Sequence, residues 1–213
     1  MAVSVDSTSG GTASVGTTVT VSHTVSSGSN RVLVVCIGME YISGGFPITS
    51  VTYNGVALTE PGGTGVIQSG LCCDLWYLVN PDVGTYNIVV TKTNSYATAV
   101  SAISLFGGST PTNDNSTQSA SGTSSSLGIT AGSAGMLVDV IVTSSGTPTA
   151  NGSQTAFQAH TNFTGTIDQS ASYKTVTSGS QTMDWTFSSS AYAGGGFLVP
   201  EAASAFKPIA SIF

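Results

Sequence analysis

Few side chains in this sequence could do chemistry: two histidines, three glutamates, seven aspartates, three cysteines and four cations among 213 residues. Glu40 and Glu60 each follow a strand-like run, and side by side their carboxyls would make a glycosidase pair. The simpler expectation is that both are solvated charges at strand ends. Asp74 and Asp184 lie close to Trp76 and Trp185 in LCCDLWY and TMDWTF. Indole faces stack on sugars while carboxylates take sugar hydroxyls, so a glycan site is the chemistry in question. Strand alternation predicts instead that the tryptophans enter the core and the aspartates face water. His23, in VSHTVS, and His160, in QAHTN, have serine neighbours but no GxSxG turn. Asp114 and Asp168 could contribute to a calcium loop, yet no DxDxDG spacing is present.

Cys36 sits inside the apolar run VLVVCIG, where a thiol acts as a small hydrophobe. Cys72 and Cys73 are adjacent, so a strand sends them to opposite faces and a bond between them would be strained. Pairing of Cys36 with one of them stays open, but three buried free thiols are expected. No CxxC occurs and the histidines stand apart, so neither metal nor cofactor is expected. Asn115, Asn151 and Asn162 begin glycosylation sequons, which so Ser/Thr-rich a chain produces by chance. The chain reads as non-enzymatic.

Charged residues make up 7% of the chain, against about 25% in ordinary globular domains. Solubility must come from hydroxyls, amides and backbone, which suits sheet faces covered in Ser and Thr. The formal net charge is −6, and Arg31, Lys92, Lys174 and Lys207 are too few and scattered to build a phosphate-binding face. Nucleic acid is therefore not an expected partner. No run approaches the roughly 20 apolar residues of a spanning helix. The opening MAVSVDSTSGG has neither a cationic segment nor an apolar one, so no export signal is read there. An extracellular composition without an export signal fits a virion protein, made in the cytoplasm and carried out on the particle; a secreted or cell-surface protein is the alternative.

Strand signals recur at short intervals between Gly, Pro, Asn and Ser clusters. TTVTVSHTV alternates, RVLVVCIGM (31–39) is apolar throughout, and ITSVTYNGVALT (48–59) carries Asn54-Gly55, the pair a type I′ hairpin demands. LCCDLWYLV (71–79), TYNIVVTK (85–92) and YATAVSAISLF (96–106) complete the first half. A polar stretch, GGSTPTNDNSTQSASGTSSS, then reads as a joining segment. Beyond it come SLGIT, MLVDVIVTS (136–144), QTAFQAH, TIDQSASYKTV, QTMDWTFSS and AYAGGGFLV. No helix shows caps with a 3.6-residue period.

The order of these elements predicts a degenerate duplication, with repeats at about 15–106 and 120–200. LVVCI (33–37) resembles LVDVI (137–141), and Asn54-Gly55 recurs as Asn151-Gly152, 97 residues on. At that offset Tyr86, Ile88 and Val90 fall on Met183, Trp185 and Phe187, and AVSAISL later matches AGGGFLV. The expected fold is all-β, a double-sheet antiparallel β-sandwich over residues 1–200, jelly-roll-like, to which both halves contribute strands. Two tandem Ig-like sandwiches are the alternative.

SNRVLVVCIGME, ITSVTYNGVALT, LWYLVNPDVGTYNIVVT, GMLVDVIVTSS and QTMDWTFSSSAYAGGGFLVP together resemble a family of Ser/Thr/Gly-rich β-sandwich proteins of bacteria and their phages. The resemblance covers most of residues 28–200, rests on structural rather than chemical motifs, and transfers no catalytic residue. It implies a surface or virion role: a capsid-decoration, tail or fibre-associated protein, with a secreted glycan-binding adhesion module as the alternative. The expected partners are further copies, other particle or surface subunits, or glycans. After Pro200 the chain departs from the pattern with EAASAFKPIASIF. This apolar tail, 201–213, places Phe206, Ile209, Ile212 and Phe213 where they are expected to dock on the chain's own sandwich or on a neighbouring subunit.

Overall fold

A computed structural model describes residues 1–203 apart from 14, 42, 43, 45, 164 and 166. The first half contains β1 (Ser4–Ala13), β2 (Thr18–Val25), β3 (Val32–Glu40), β4 (Ile48–Tyr53), β5 (Val56–Ala57), β6 (Val66–Gln68), β7 (Leu71–Val79), β8 (Gly84–Lys92) and β9 (Thr98–Phe106). The second contains β10 (Thr112–Ala131), β11 (Gly135–Thr143), β12 (Thr149–Ala150), β13 (Thr155–His160), β14 (Asp168–Val176) and β15 (Gly179–Pro200). Every ladder is antiparallel, and the chain is an all-β sandwich.

Two sheets meet at its centre. One runs β1-β9-β3-β7-β6, the other β10-β15-β11-β14-β13, so each half supplies one sheet. Val34, Cys36, Leu75 and Ile103 of the first pack against Val138, Val140, Ala193 and Phe197 of the second. A further sheet, β2-β8-β4-β5, covers the outer face of the first, closing a second core around Leu33, Val35, Ile37, Val51, Tyr53, Ile88 and Val90. β3 is thus covered on both faces, which is why its sequence is apolar without alternation. β2 is covered on one face only and alternates strictly, with Val19, Val21, His23 and Val25 inward. Each of its valines gains about 1.5–3 kcal/mol by that burial.

The second half builds its outer layer by bending two long strands. β10 and β15 pair along their length, with register shifts between Ser119 and Ser124. Beyond the shifts, 124–131 and 179–187 turn back over the outer face of their own sheet. There Leu127, Ile129 and Met183 cover Leu137 and Leu198, and β12 joins at Thr186 and Trp185. The sandwich therefore has more layers than the two-sheet form expected.

The two central sheets share one strand order and a matching register. Ser101 pairs with both Gly10 and Cys36, and Gly195 with both Ser116 and Val140, in equivalent ladders. Tyr53 pairs with Ile88, and Ala150 with Trp185, one residue before Asn54-Gly55 and Asn151-Gly152 respectively. Across the central core β1 lies beside β13 and β6 beside β10. Since β1 corresponds to β10 and β6 to β13, the halves are related by an approximate two-fold axis.

Two long strands escaped the sequence reading, as did the short β6 and β12. The polar joining segment is β10, and the opening SVDSTSGGTA is β1. Both lie at sheet edges with few apolar side chains, so the period-2 signal is weak in β1 and confined in β10 to Leu127, Ile129 and Ala131.

Candidate functional site

β7 carries Asp74 into the layer between the first central sheet and the outer sheet, where it is fully buried. Its carboxylate accepts hydrogen bonds from the Thr64 hydroxyl at 2.9 Å, the Leu75 N–H at 2.8 Å and the Trp76 indole N–H at 2.7 Å. Burial nonetheless outweighs these bonds and pushes the carboxyl up to about 7. The expectation that Asp74 faces water and Trp76 the core is reversed, for Trp76 is only half-buried. A spacing of two puts both on one face, and a partly buried indole N–H needs an acceptor there.

Trp185 does enter the core, with Asp184 half-buried beside it, as alternation predicts. Its indole N–H donates to Asp139 of β11 at 2.6 Å, not to Asp184. Asp139 also accepts from the Ser172 hydroxyl, and burial pushes its carboxyl up to about 7. Sequence reasoning missed this residue. Its signal was a carboxylate in the middle of an apolar strand, LVDVI, which is stable only with partners. The two Trp–Asp pairs are built differently, Asp74 and Trp76 within β7 and Asp139 of β11 with Trp185 of β15. Each closes hydrogen bonds inside the fold.

The remaining candidates disperse. Glu60 is exposed and accepts the Gly62 N–H at 3.1 Å, while Glu40 ends β3. His23 lies under the outer sheet with its Nδ1 2.8 Å from the Ser9 hydroxyl, and burial lowers its pKa to about 4. Its buried Nε2 has no partner. His160 donates from Nε2 to the Val100 carbonyl at 3.2 Å. Asp168 accepts the Asn162 N–H at 2.7 Å, and Asp114 lies against Gly63 on β10. Among the described residues no three His, Cys, Asp or Glu side chains cluster as metal ligands would. Cys36, Cys72 and Cys73 are free and buried, and burial pushes all three thiols up, away from the reactive thiolate. Arg31 bonds the carbonyls of Gly28 and Pro81, and Lys92 the Tyr96 carbonyl and Thr98 hydroxyl.

What the fold offers to solvent is an uncharged sheet face. Alternation turns Thr18, Thr20, Ser22 and Thr24 of β2 outward, opposite Thr91, Val89, Asn87 and Thr85 of β8. Thr52 of β4 continues the row beside Val89. At one end Thr52, Asn54, Gly55, Thr85, Tyr86, Asn87 and Val89 line a shallow open dish. The tail residues Phe206, Ile209, Ile212 and Phe213 lie outside the described residues. No protein-family model, no curated protein and no solved structure matches the chain.

Proposed function

We propose that this chain is a non-enzymatic structural protein of a phage virion, a capsid-decoration, tail or fibre-associated subunit. It associates with further copies or other subunits through sheet edges and through Phe206, Ile209, Ile212 and Phe213. The observation that carries this reading is β1. It is a ten-residue edge strand whose one charged side chain, Asp6, is engaged by the Ser26 N–H at 2.9 Å and the Ser104 hydroxyl at 2.8 Å. Exposed edges usually carry charges that repel another strand, and this one offers Ser, Thr and Gly instead.

Mass spectrometry of purified particles tests the assignment, and the subunit is expected among their proteins. Deleting residues 204–213 should leave the melting temperature unchanged and abolish incorporation. Sedimentation at about tens of micromolar, where weak interfaces begin to fill, should show a homo-oligomer. A stable monomer absent from particles overturns the reading in favour of a secreted adhesion module, for which the exposed Tyr86 is the specific observation.

A further inference from the structure

We propose that residues 204–213 of a second copy dock at the open margin between the outer sheet and the first central sheet, against Val56, Val83 and Tyr86, and that two copies exchange these segments end to end. The proposal rests on the reading of that segment as a docking element, and it names the receptor and the partner.

The receptor follows from register. His23 pairs with Tyr86, Ile88 with Tyr53 and Tyr53 with Val56, so all of them point from the outer sheet toward the first central sheet. Within the layer that face is covered, and Tyr53 and Ile88 are fully buried. At its margin Val56 and Tyr86 keep 45% and 37% of their surface in water although both face inward. Leu78 of β7, only partly buried, faces the same layer from the other side. Val83, 46% exposed, lies on the connection that crosses this margin from β7 to β8. The Tyr86 ring leans over Gly84, where a Cβ would come within 2.8 Å of it, and meets the Tyr53 ring edge-on at 5.8 Å. Of the six large apolar side chains exposed among the described residues, three collect here. Such a cluster marks an interaction surface.

The docking segment departs from the same end of the molecule. The Ala202 N–H bonds the Gly107 carbonyl at 2.8 Å, and the Gly107 N–H bonds the Ser29 carbonyl at 3.1 Å. Arg31 continues the row, donating to the carbonyls of Gly28 and Pro81, two residues before Val83. Residues 204–213, fully extended, reach about 33 Å, enough to cross to a facing copy.

The chemistry of the segment fits this margin better than a sheet edge. Extended, it points Phe206 and Ile212 one way and Ile209 and Phe213 the other. A strand added at an edge leaves one face wet, whereas a segment gripped between two layers needs apolar side chains on both. Pro208 keeps Lys207 out of the helical region. Lys207 meets an opposite charge in Asp82, which is exposed beside Val83. Within one chain, Lys207 would have to pass Arg31 on the way to the margin, a like-charge crossing that a facing copy avoids. Because root and receptor share one end, each copy can receive the other's segment, which closes the assembly as a two-fold dimer.

Sedimentation equilibrium of the full chain should show that dimer. Val83→Lys should weaken it at least about 10-fold, the loss of one buried anchor, and keep the parent melting temperature because the side chain is exposed. Lys207→Asp should weaken it too, and adding Asp82→Lys should restore it. To separate exchange from folding back, single variants Val83→Cys and Ile209→Cys are mixed and oxidised; Cys36, Cys72 and Cys73 are buried. A covalent heterodimer is expected. A monomer overturns the proposal, as does a disulfide formed only within a chain carrying both substitutions, or a dimer that Val83→Lys leaves unchanged. If deleting 204–213 abolishes particle incorporation while Val83→Lys affects neither dimer nor incorporation, this proposal falls and the assembly reading stands. An exchanged dimer absent from particles does the reverse.

Discussion

Asp74 and Asp139 each keep a carboxyl in the interior beside an indole N–H, and the consequence is a stability that depends on pH. Both are raised from 3.8 to about 7, chiefly by desolvation. Between those values the folded chain holds protons that the unfolded chain has released. The stability they contribute is therefore full below about pH 4 and is lost as pH rises through about 7. His23 acts in the opposite sense. Lowered to about 4, it stays neutral when folded, so its contribution is lost as pH falls from 6.5 toward 4. Comparing a variant with its parent isolates one group. Asp139→Asn keeps an acceptor for Trp185 but cannot ionise, so it should melt higher than the parent at pH 8. The advantage should vanish by about pH 4. Each 1 kcal/mol gained moves the midpoint by about 2–4 °C in a chain of this size. A variant less stable than the parent at pH 8 would mean that the carboxylate's bonds outweigh its burial.

At the scale of elements, β15 shows how a strand can be chosen for what it lacks. A Cβ on Gly195 would stand 2.4 Å from the Thr64 carbonyl oxygen, a backbone atom that cannot swing aside. Gly195→Ala should cost about 1–3 kcal/mol, the range for overpacking. Gly128 on β10 has nothing within 4 Å of its Cβ position, and Gly128→Ala should be neutral or stabilising by up to about 1 kcal/mol. Denaturant unfolding of the two variants checks the contrast; equal effects would mean that the Thr64 segment yields. The same comparison explains what the sequence disclosed. Strands that bury a face announce themselves, as β2 does by alternation and β3 by an unbroken apolar run. The Asn54-Gly55 turn was equally plain, with both residues at positive φ. β1 and most of β10 were hidden because an edge strand can be held by backbone hydrogen bonds with few apolar side chains to mark it. The uncharged outer face was legible from composition and alternation. The Trp185–Asp139 pair was not, since its partners lie 46 residues apart and meet only because β15 folds back over β11. Nor was the exposure of Tyr86, whose parity in β8 matches buried Ile88.

The whole molecule is two similar halves joined through one apolar interface, where Val34 and Leu75 face Val138 and Phe197. Neither central sheet is covered without the other half, so heat should unfold both in a single transition. Ile88→Ala in the first half and Met183→Ala in the second should each lower that common midpoint, at about 2–5 kcal/mol apiece. Calorimetry resolving two transitions, only one of which moves in each variant, would show that the halves are energetically separate. The approximate two-fold axis has the geometry of a symmetric dimer interface, but here a single chain supplies both sides. In a dimer of identical chains every substitution is made twice, once on each side of the axis, and must be tolerated in both settings. In this chain it is made once. Asn151-Gly152 can keep its turn over a buried Met183 while Asn54-Gly55 carries Tyr86 in the open, an asymmetry that no pair of identical chains could encode.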